Sequence, residues 1–256
     1  MAEPQRYAYV QARVQARLGR LPSPTAWQRL EAITALGHFL QTARSSGLRP
    51  WLHTIGPQSG AHEVEGALRR HLRNEIDEVA RWLPTAWRPA AWWCAVLPDL
   101  PALQHLLRGE PAPEWLRRDP WLRPYGHDLQ AVRLQALRES AYAPLLVSTE
   151  AEDGLGISAA WSRHWHRLWP HEGTDAAGVA AVEQAVADHF ATLRLPATRG
   201  SVPSRGHLEQ RLRRLLRRSR GRPAAAFAYL TVAGIHMERL RGKLARLIHF
   251  HPAEAA

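Results

Sequence analysis

The run Arg163-His164-Trp165-His166-Arg167, followed by His171-Glu172, is the densest set of potential metal ligands in the chain. A helical metal pair needs two ligands on one face, as the i, i+4 histidines of His-Glu-x-x-His provide. His164 and His166 are two positions apart and would point about 160° away from each other around a helix. No third ligand is evident, so surface or interface histidines are the simpler reading. His62-Glu63 and the pair His249, His251 are weaker versions of the same pattern, and no histidine makes a clear triad with a Ser or Cys nucleophile. Cys94 is the only cysteine, which excludes an intrachain disulfide and a cysteine metal cluster. Asp153-Gly154 and Gly156 lack the following Gly-Lys-Ser/Thr of a phosphate cradle. Glu75, Asp77 and Glu78 could serve acid–base chemistry. Their neighbours Arg69, Arg70, Arg73 and Arg81 make i, i+4 ion pairing the simpler account. The chain is therefore expected to be non-catalytic, with no cofactor and no metal.

Charge offers a different chemistry. The formal net charge is +11, Lys243 is the only lysine, and every other basic residue apart from histidine is Arg. Such a balance favours anionic partners. It peaks in Arg211-Leu212-Arg213-Arg214-Leu215-Leu216-Arg217-Arg218, then Arg220 and Arg222. Leu208, Leu212, Leu215 and Leu216 define one face of this basic amphipathic helix, and arginines occupy the rest. Nucleic-acid phosphates, anionic lipid or an acidic protein would suit it, although the interleaved aromatics of a single-strand binder are missing. Arg211, Arg213, Arg214, Arg217 and Arg218 are the candidate partner-binding residues.

The elements that must position these residues all read as helices. Ser23-Pro24 is an N-cap and first-turn pair, after which Trp27, Leu30, Leu36 and Leu40 recur at helical spacing. Gly47 is expected to supply a left-handed stop. Val64, Leu68, Leu72, Ile76 and Val79 form an i, i+4 stripe before Pro84, with Arg69, Arg70, Arg73, Glu75 and Asp77 largely off it. A short Trp-rich helix follows over 89–97, and Asp99 is expected to cap the next. Residues 110–124 hold four prolines and read as a connector with one turn around Trp115 and Leu116. Helices are expected over 128–140, from Ser158, from Thr174, from Ser204, and from Pro223 to about Phe250, with a loop over 150–156. No segment sustains the alternation of a strand. The 11 Trp residues, all between Trp27 and Trp169, are suited to filling helix–helix junctions.

Three segments together resemble the C-type (also called d-type) subunit of V/A-type rotary ATPases. Tyr7-Ala8-Tyr9-Val10-Gln11-Ala12-Arg13-Val14 is similar to its N-terminal signature, which continues into Trp27-Gln28-Arg29-Leu30-Glu31-Ala32 and a turn like Gly47-Leu48-Arg49-Pro50-Trp51-Leu52. Glu65-Gly66-Ala67-Leu68-Arg69-Arg70, through Trp82-Leu83-Pro84 to Asp99 and Leu103-Gln104-His105-Leu106-Leu107-Arg108, follows the family's long helix and its Asp-x-x-Asn-Leu-Lys-type helix. Ala228-Tyr229-Leu230 to Met237-Glu238-Arg239-Leu240-Arg241-Gly242-Lys243 resembles its C-terminal helix. The sequence departs from the family at Ala102 and Gln104, where Asn and Lys are usual, and at His236, where Glu is usual. Arg241 persists and joins the candidate partner-binding residues. Tyr7, Tyr9, Arg13, Asp99, Tyr229 and His236 are the motif positions.

The resemblance implies an all-α, multi-helical, funnel-like body of two to three small lobes. Sub-lobes at about 1–109, 110–194 and 204–256, with a linker at 195–203, are the expected divisions. It also implies a non-catalytic adaptor that couples the central rotor stalk to the membrane ring in proton or sodium transport. The alternative is a basic helical binder of nucleic acid or another anionic partner. Residues 1–9 lack the apolar run of a signal peptide, and no stretch approaches the roughly 20 apolar residues of a membrane span. A cytoplasmic protein, peripheral on the cytoplasmic face of the inner membrane, is the expectation.

Overall fold

Ser23 accepts a hydrogen bond from the Ala26 N–H at 3.2 Å, and Glu63 accepts one from the Gly60 N–H at 3.1 Å. These two caps open α2 (Pro24–Ala32) and α5 (Ala61–Trp82). The structure, a computed structural model, describes residues 3–148, 156–170, 175–194 and 205–250. The remaining α-helices are α1 (Glu3–Arg20), α3 (Leu36–Arg44), α4 (Arg49–Leu52), α6 (Arg88–Trp93), α7 (Leu100–Leu107), α8 (Glu114–Arg118) and α9 (Gln130–Arg138). They continue as α10 (Gly156–Arg167), α11 (Ala176–Arg194), α12 (Arg205–Arg218) and α13 (Ala224–Phe250). No strand occurs among the described residues, and the fold is all-α.

The chain divides into two compact units. The first comprises Met1–Arg88 with Pro170–Ala256, and the second is Pro89–Trp169. These boundaries differ from divisions near 109 and 194, because α13 returns to pack on α1, α3 and α5. The expected linker at 195–203 lies outside the described residues.

In the first unit α13 is the central helix. Its opening, Ala224-Ala225-Ala226-Phe227-Ala228-Tyr229-Leu230, is buried on every side, as befits a helix surrounded by others. Small residues let those neighbours come close: a Cβ on Gly178 of α11 would sit 2.9 Å from the Ala224 Cβ. The stripe of α5 is buried as the i, i+4 pattern requires, but Arg69, Arg73 and Glu75, expected off it, are buried too. Lys243 of α13 donates to the Glu31 carbonyl at 2.8 Å and the Ile33 carbonyl at 2.5 Å. Those are carbonyls that the end of α2 leaves open, so the only lysine of the chain serves as a C-cap.

Gly47 does something other than expected. Among the described residues the glycines with positive φ are Gly109, Gly156 and Gly221, and Gly47 is not one of them. A Cβ on Gly47 would instead fall 1.5 Å from the Arg20 carbonyl oxygen. Close passage of the turn after α3 against the end of α1 is what requires glycine here. Gly47→Ala is expected to lower stability by about 2–3 kcal/mol through forced backbone displacement. A urea midpoint equal to that of the parent would show that no such contact exists.

The second unit is held by polar ties from large side chains. The Trp93 indole donates to the Trp161 carbonyl at 3.1 Å, and the Trp161 indole donates to the Trp93 carbonyl at 3.2 Å. Trp165 stacks on Trp161, with centroids 5.4 Å apart, and donates to the Ala90 carbonyl at 2.9 Å. These tryptophans do join helices, whereas Trp92 and Trp121 are exposed. Asp99, expected as an N-cap, makes no side-chain cap; it is buried and accepts from the Tyr142 hydroxyl at 3.0 Å.

Candidate functional site

Three motif positions of the N- and C-terminal helices, Tyr9, Arg13 and Tyr229, meet around α5. On α1, Tyr7 is buried and donates to Asp175 at 3.1 Å, just before α11. Two residues on, Tyr9 is exposed and meets Trp82 edge-on, with centroids 6.5 Å apart. The guanidinium carbons of Arg13 and Arg17 lie 4.9 and 4.8 Å from the same Trp82 ring, within cation–π reach. Arg17 also pairs with Glu75 and Glu78 of α5, and Tyr229 of α13 donates its hydroxyl to Glu75. Burial and the facing carboxylate push the Tyr229 phenol upward, so it stays protonated. Glu75, a candidate acid–base carboxylate, thus ties three helices together, and its partner is Arg17 rather than an arginine of its own helix. Asp77 does pair locally, with Arg81 at 2.6 Å.

A second buried network surrounds His236. The Trp27 indole N–H can only donate, and it lies 2.9 Å from His236 Nδ1. Nδ1 is therefore the acceptor, and Nε2 carries the proton toward Glu209 Oε1 at 3.2 Å. Arg213 donates to the same oxygen through Nε at 2.8 Å, with its Nη2 ion-paired to that oxygen at 2.7 Å. The Arg239 guanidinium covers the Trp27 ring at 4.7 Å and pairs with Glu31 at 2.8 Å. Glu209, Arg213, Glu31 and Arg239 form part of the wall of a cleft of about 850 Å³, together with Leu18 and Arg205. Both nitrogens of His236 are engaged, so neither is open to a substrate proton or a metal. Its Trp–His–Glu–Arg chain joins α2, α13 and α12.

Burial alone would raise the Glu209 pKa, but the hydrogen bonds from His236 and Arg213, with the Arg213 charge, pull it down to about 2. A carboxyl depressed on folding contributes stability that is present above its unfolded pKa and lost as pH falls toward the folded value. Stability is therefore expected to fall between about pH 5 and pH 2, with part of that loss carried by Glu209. Glu209→Gln should be less stable at neutral pH and should show a flatter acid limb in denaturant titrations. An acid limb parallel to the parent's would contradict this assignment.

The arginine-rich helix is α12, and its face is only partly free. Leu208, Leu212 and Leu216 are buried as the amphipathic pattern predicts, and Glu209 joins them. Arg211 pairs with Asp188 of α11 at 2.6 Å, and Arg213 is held by Glu209. Arg241 is likewise engaged, with Glu238 at 2.6 Å and Glu65 at 3.5 Å. Arg214, Arg217 and Arg218 are exposed, as are Arg220 and Arg222 in the turn that follows. No carboxylate among the described residues pairs with any of these five.

The other candidates are packing elements. His164 meets the Trp93 ring edge-on at 4.5 Å, and His166 lies 4.8 Å from Trp169. Among the described residues no group of three or more His, Cys, Asp or Glu is placed to hold a metal ion. His171 and Glu172, Asp153-Gly154 and His251 lie outside the described residues. Burial pushes the Cys94 thiol up to about 12, which leaves it a poor nucleophile. No family model matches the chain, and neither does any curated protein.

Proposed function

We propose that this protein is a non-catalytic helical adaptor like the C-type (d-type) subunit of V/A-type rotary ATPases, linking a central rotor stalk to a membrane ring. One observation carries the reading. Motif positions more than two hundred residues apart in the chain, Tyr7, Tyr9 and Arg13 against Tyr229 and His236, all serve as ties among the helices of the first unit. A part that transmits torque needs stiff junctions between helices more than it needs reactive groups. The polar side chains that converge here are spent on one another. No helix among the described residues is long and apolar enough to cross a membrane, so in this role the chain acts as a peripheral subunit on the cytoplasmic face.

Co-purification tests the reading. A tagged chain extracted from its own cells in mild detergent should bring down stalk and ring subunits in fixed proportion, identified by mass spectrometry. Recovery without either, from membranes that contain a rotary ATPase, would overturn it.

A further inference from the structure

We infer that the exposed ridge Arg214, Arg217, Arg218, Arg220 and Arg222 is the docking surface for an acidic protein segment; this rests on the adaptor reading and names the chemistry of one of its contacts. The ridge is rigidly mounted. Leu208, Leu212 and Leu216 fix α12 against the core, and α12 packs along α13. The turn that carries Arg220 and Arg222 is held by Gly221, with φ of 70°, and by buried Pro223. Five guanidinium groups within nine residues repel one another, and no carboxylate among the described residues offsets them. Arg211 and Arg213, flanking them on the same helix, are each neutralised by an internal carboxylate. The charge is thus concentrated at the C-terminal end of α12.

Three classes of polyanion could meet this ridge, and its geometry favours one. A bilayer would gain charge attraction and little more, because Leu208, Leu212 and Leu216 are committed to the core and only the half-buried Leu215 lies beside the arginines. A nucleic acid would find too few contacts: five arginines can neutralise about five phosphates, against the 6–10 of a protein whose binding is dominated by the backbone. Arg214, Arg217 and Arg218 stand three and four residues apart. That places the Cβ atoms of Arg217 and Arg218 about 5–6 Å from that of Arg214, the spacing that carboxylates at i, i+3 and i+4 present on an acidic helix. Guanidinium groups also pair carboxylates in a two-pronged fashion.

The test compares two variants of equal net charge. Arg214→Glu/Arg217→Glu/Arg218→Glu reverses the ridge, and Arg108→Glu/Arg123→Glu/Arg138→Glu reverses three exposed arginines of the second unit. Binding of the full chain to poly-L-glutamate should drop at least about tenfold in the first and less than about threefold in the second. Far-ultraviolet circular dichroism checks that both fold, and Arg214→Gln/Arg217→Gln/Arg218→Gln gives the same readout without charge reversal. Equal losses in the two variants would overturn the inference. So would tighter ridge-dependent binding to a DNA duplex, or to equimolar phosphatidylcholine–phosphatidylglycerol vesicles, than to poly-L-glutamate. In the co-purification, a ridge variant recovered with its partners as fully as the parent overturns the docking surface alone. A parent recovered without partners overturns the adaptor reading, while ridge-dependent binding to poly-L-glutamate would still support the surface.

Discussion

Trp27→Ala is expected to destabilise the first unit by about 4 kcal/mol or more, near the top of the range for deleting a buried aromatic side chain. Trp27 is completely buried, so the substitution leaves a large cavity between α2 and α13. It also removes the donor to His236 Nδ1 and the ring beneath the Arg239 guanidinium. A buried acceptor without a partner adds about 1–3 kcal/mol. Trp27→Phe separates the two effects, since it keeps most of the volume and loses the N–H. A double-mutant cycle with His236→Ala should give a coupling of about 1 kcal/mol or more, because the two side chains touch. Guanidinium denaturation measures the three single variants and the double mutant. A loss below about 1 kcal/mol in Trp27→Ala, the average for any substitution, would show that the Trp27–His236 contact holds nothing.

Arg133→Met should cost the second unit about 3 kcal/mol or more. Arg133 is buried and donates from three nitrogens to three carbonyls: His127 twice, at 3.1 and 2.8 Å, and Leu106 and Glu110, each at 2.9 Å. Leu106 lies in the last turn of α7, so the guanidinium finishes that helix and fastens the 110–124 connector to α9. Methionine fills similar space and leaves those carbonyls without their donors. Arg133→Lys should rescue only part of the loss, because one ammonium cannot spread over the same fork. Faster hydrogen exchange at the amides of α7 and α9 is the accompanying signature. Exchange indistinguishable from the parent's would contradict the role given to Arg133.

Helix type and placement were largely legible in the sequence, because apolar spacing is a local property. Val64 to Val79 announces α5, and Pro84 its end. Ser23-Pro24 opens α2, although the pattern from Trp27 to Leu40 conceals a break at Ile33, where ψ of 129° ends the helix. What stayed hidden depends on distant partners. Glu75 reads as one carboxylate in a surface run until Tyr229 and Arg17 arrive from other helices. Gly47 carries no local sign that the Arg20 carbonyl lies against it. The arginine run announces a basic helix, but Asp188, more than twenty residues upstream, decides that Arg211 is not part of its free face. Glu209, Trp27 as a donor, and Arg133 escaped sequence reasoning. The signals in the sequence were a single Glu within a leucine–arginine helix and a His directly after the largely apolar opening of α13.

The most direct test of the adaptor reading measures coupling in membrane vesicles that carry the rotary ATPase. Vesicles from cells lacking this chain should hydrolyse ATP yet fail to build an ion gradient, and adding back the purified chain should restore pumping. Gradient formation in the chain's absence equal to that in its presence would contradict the account.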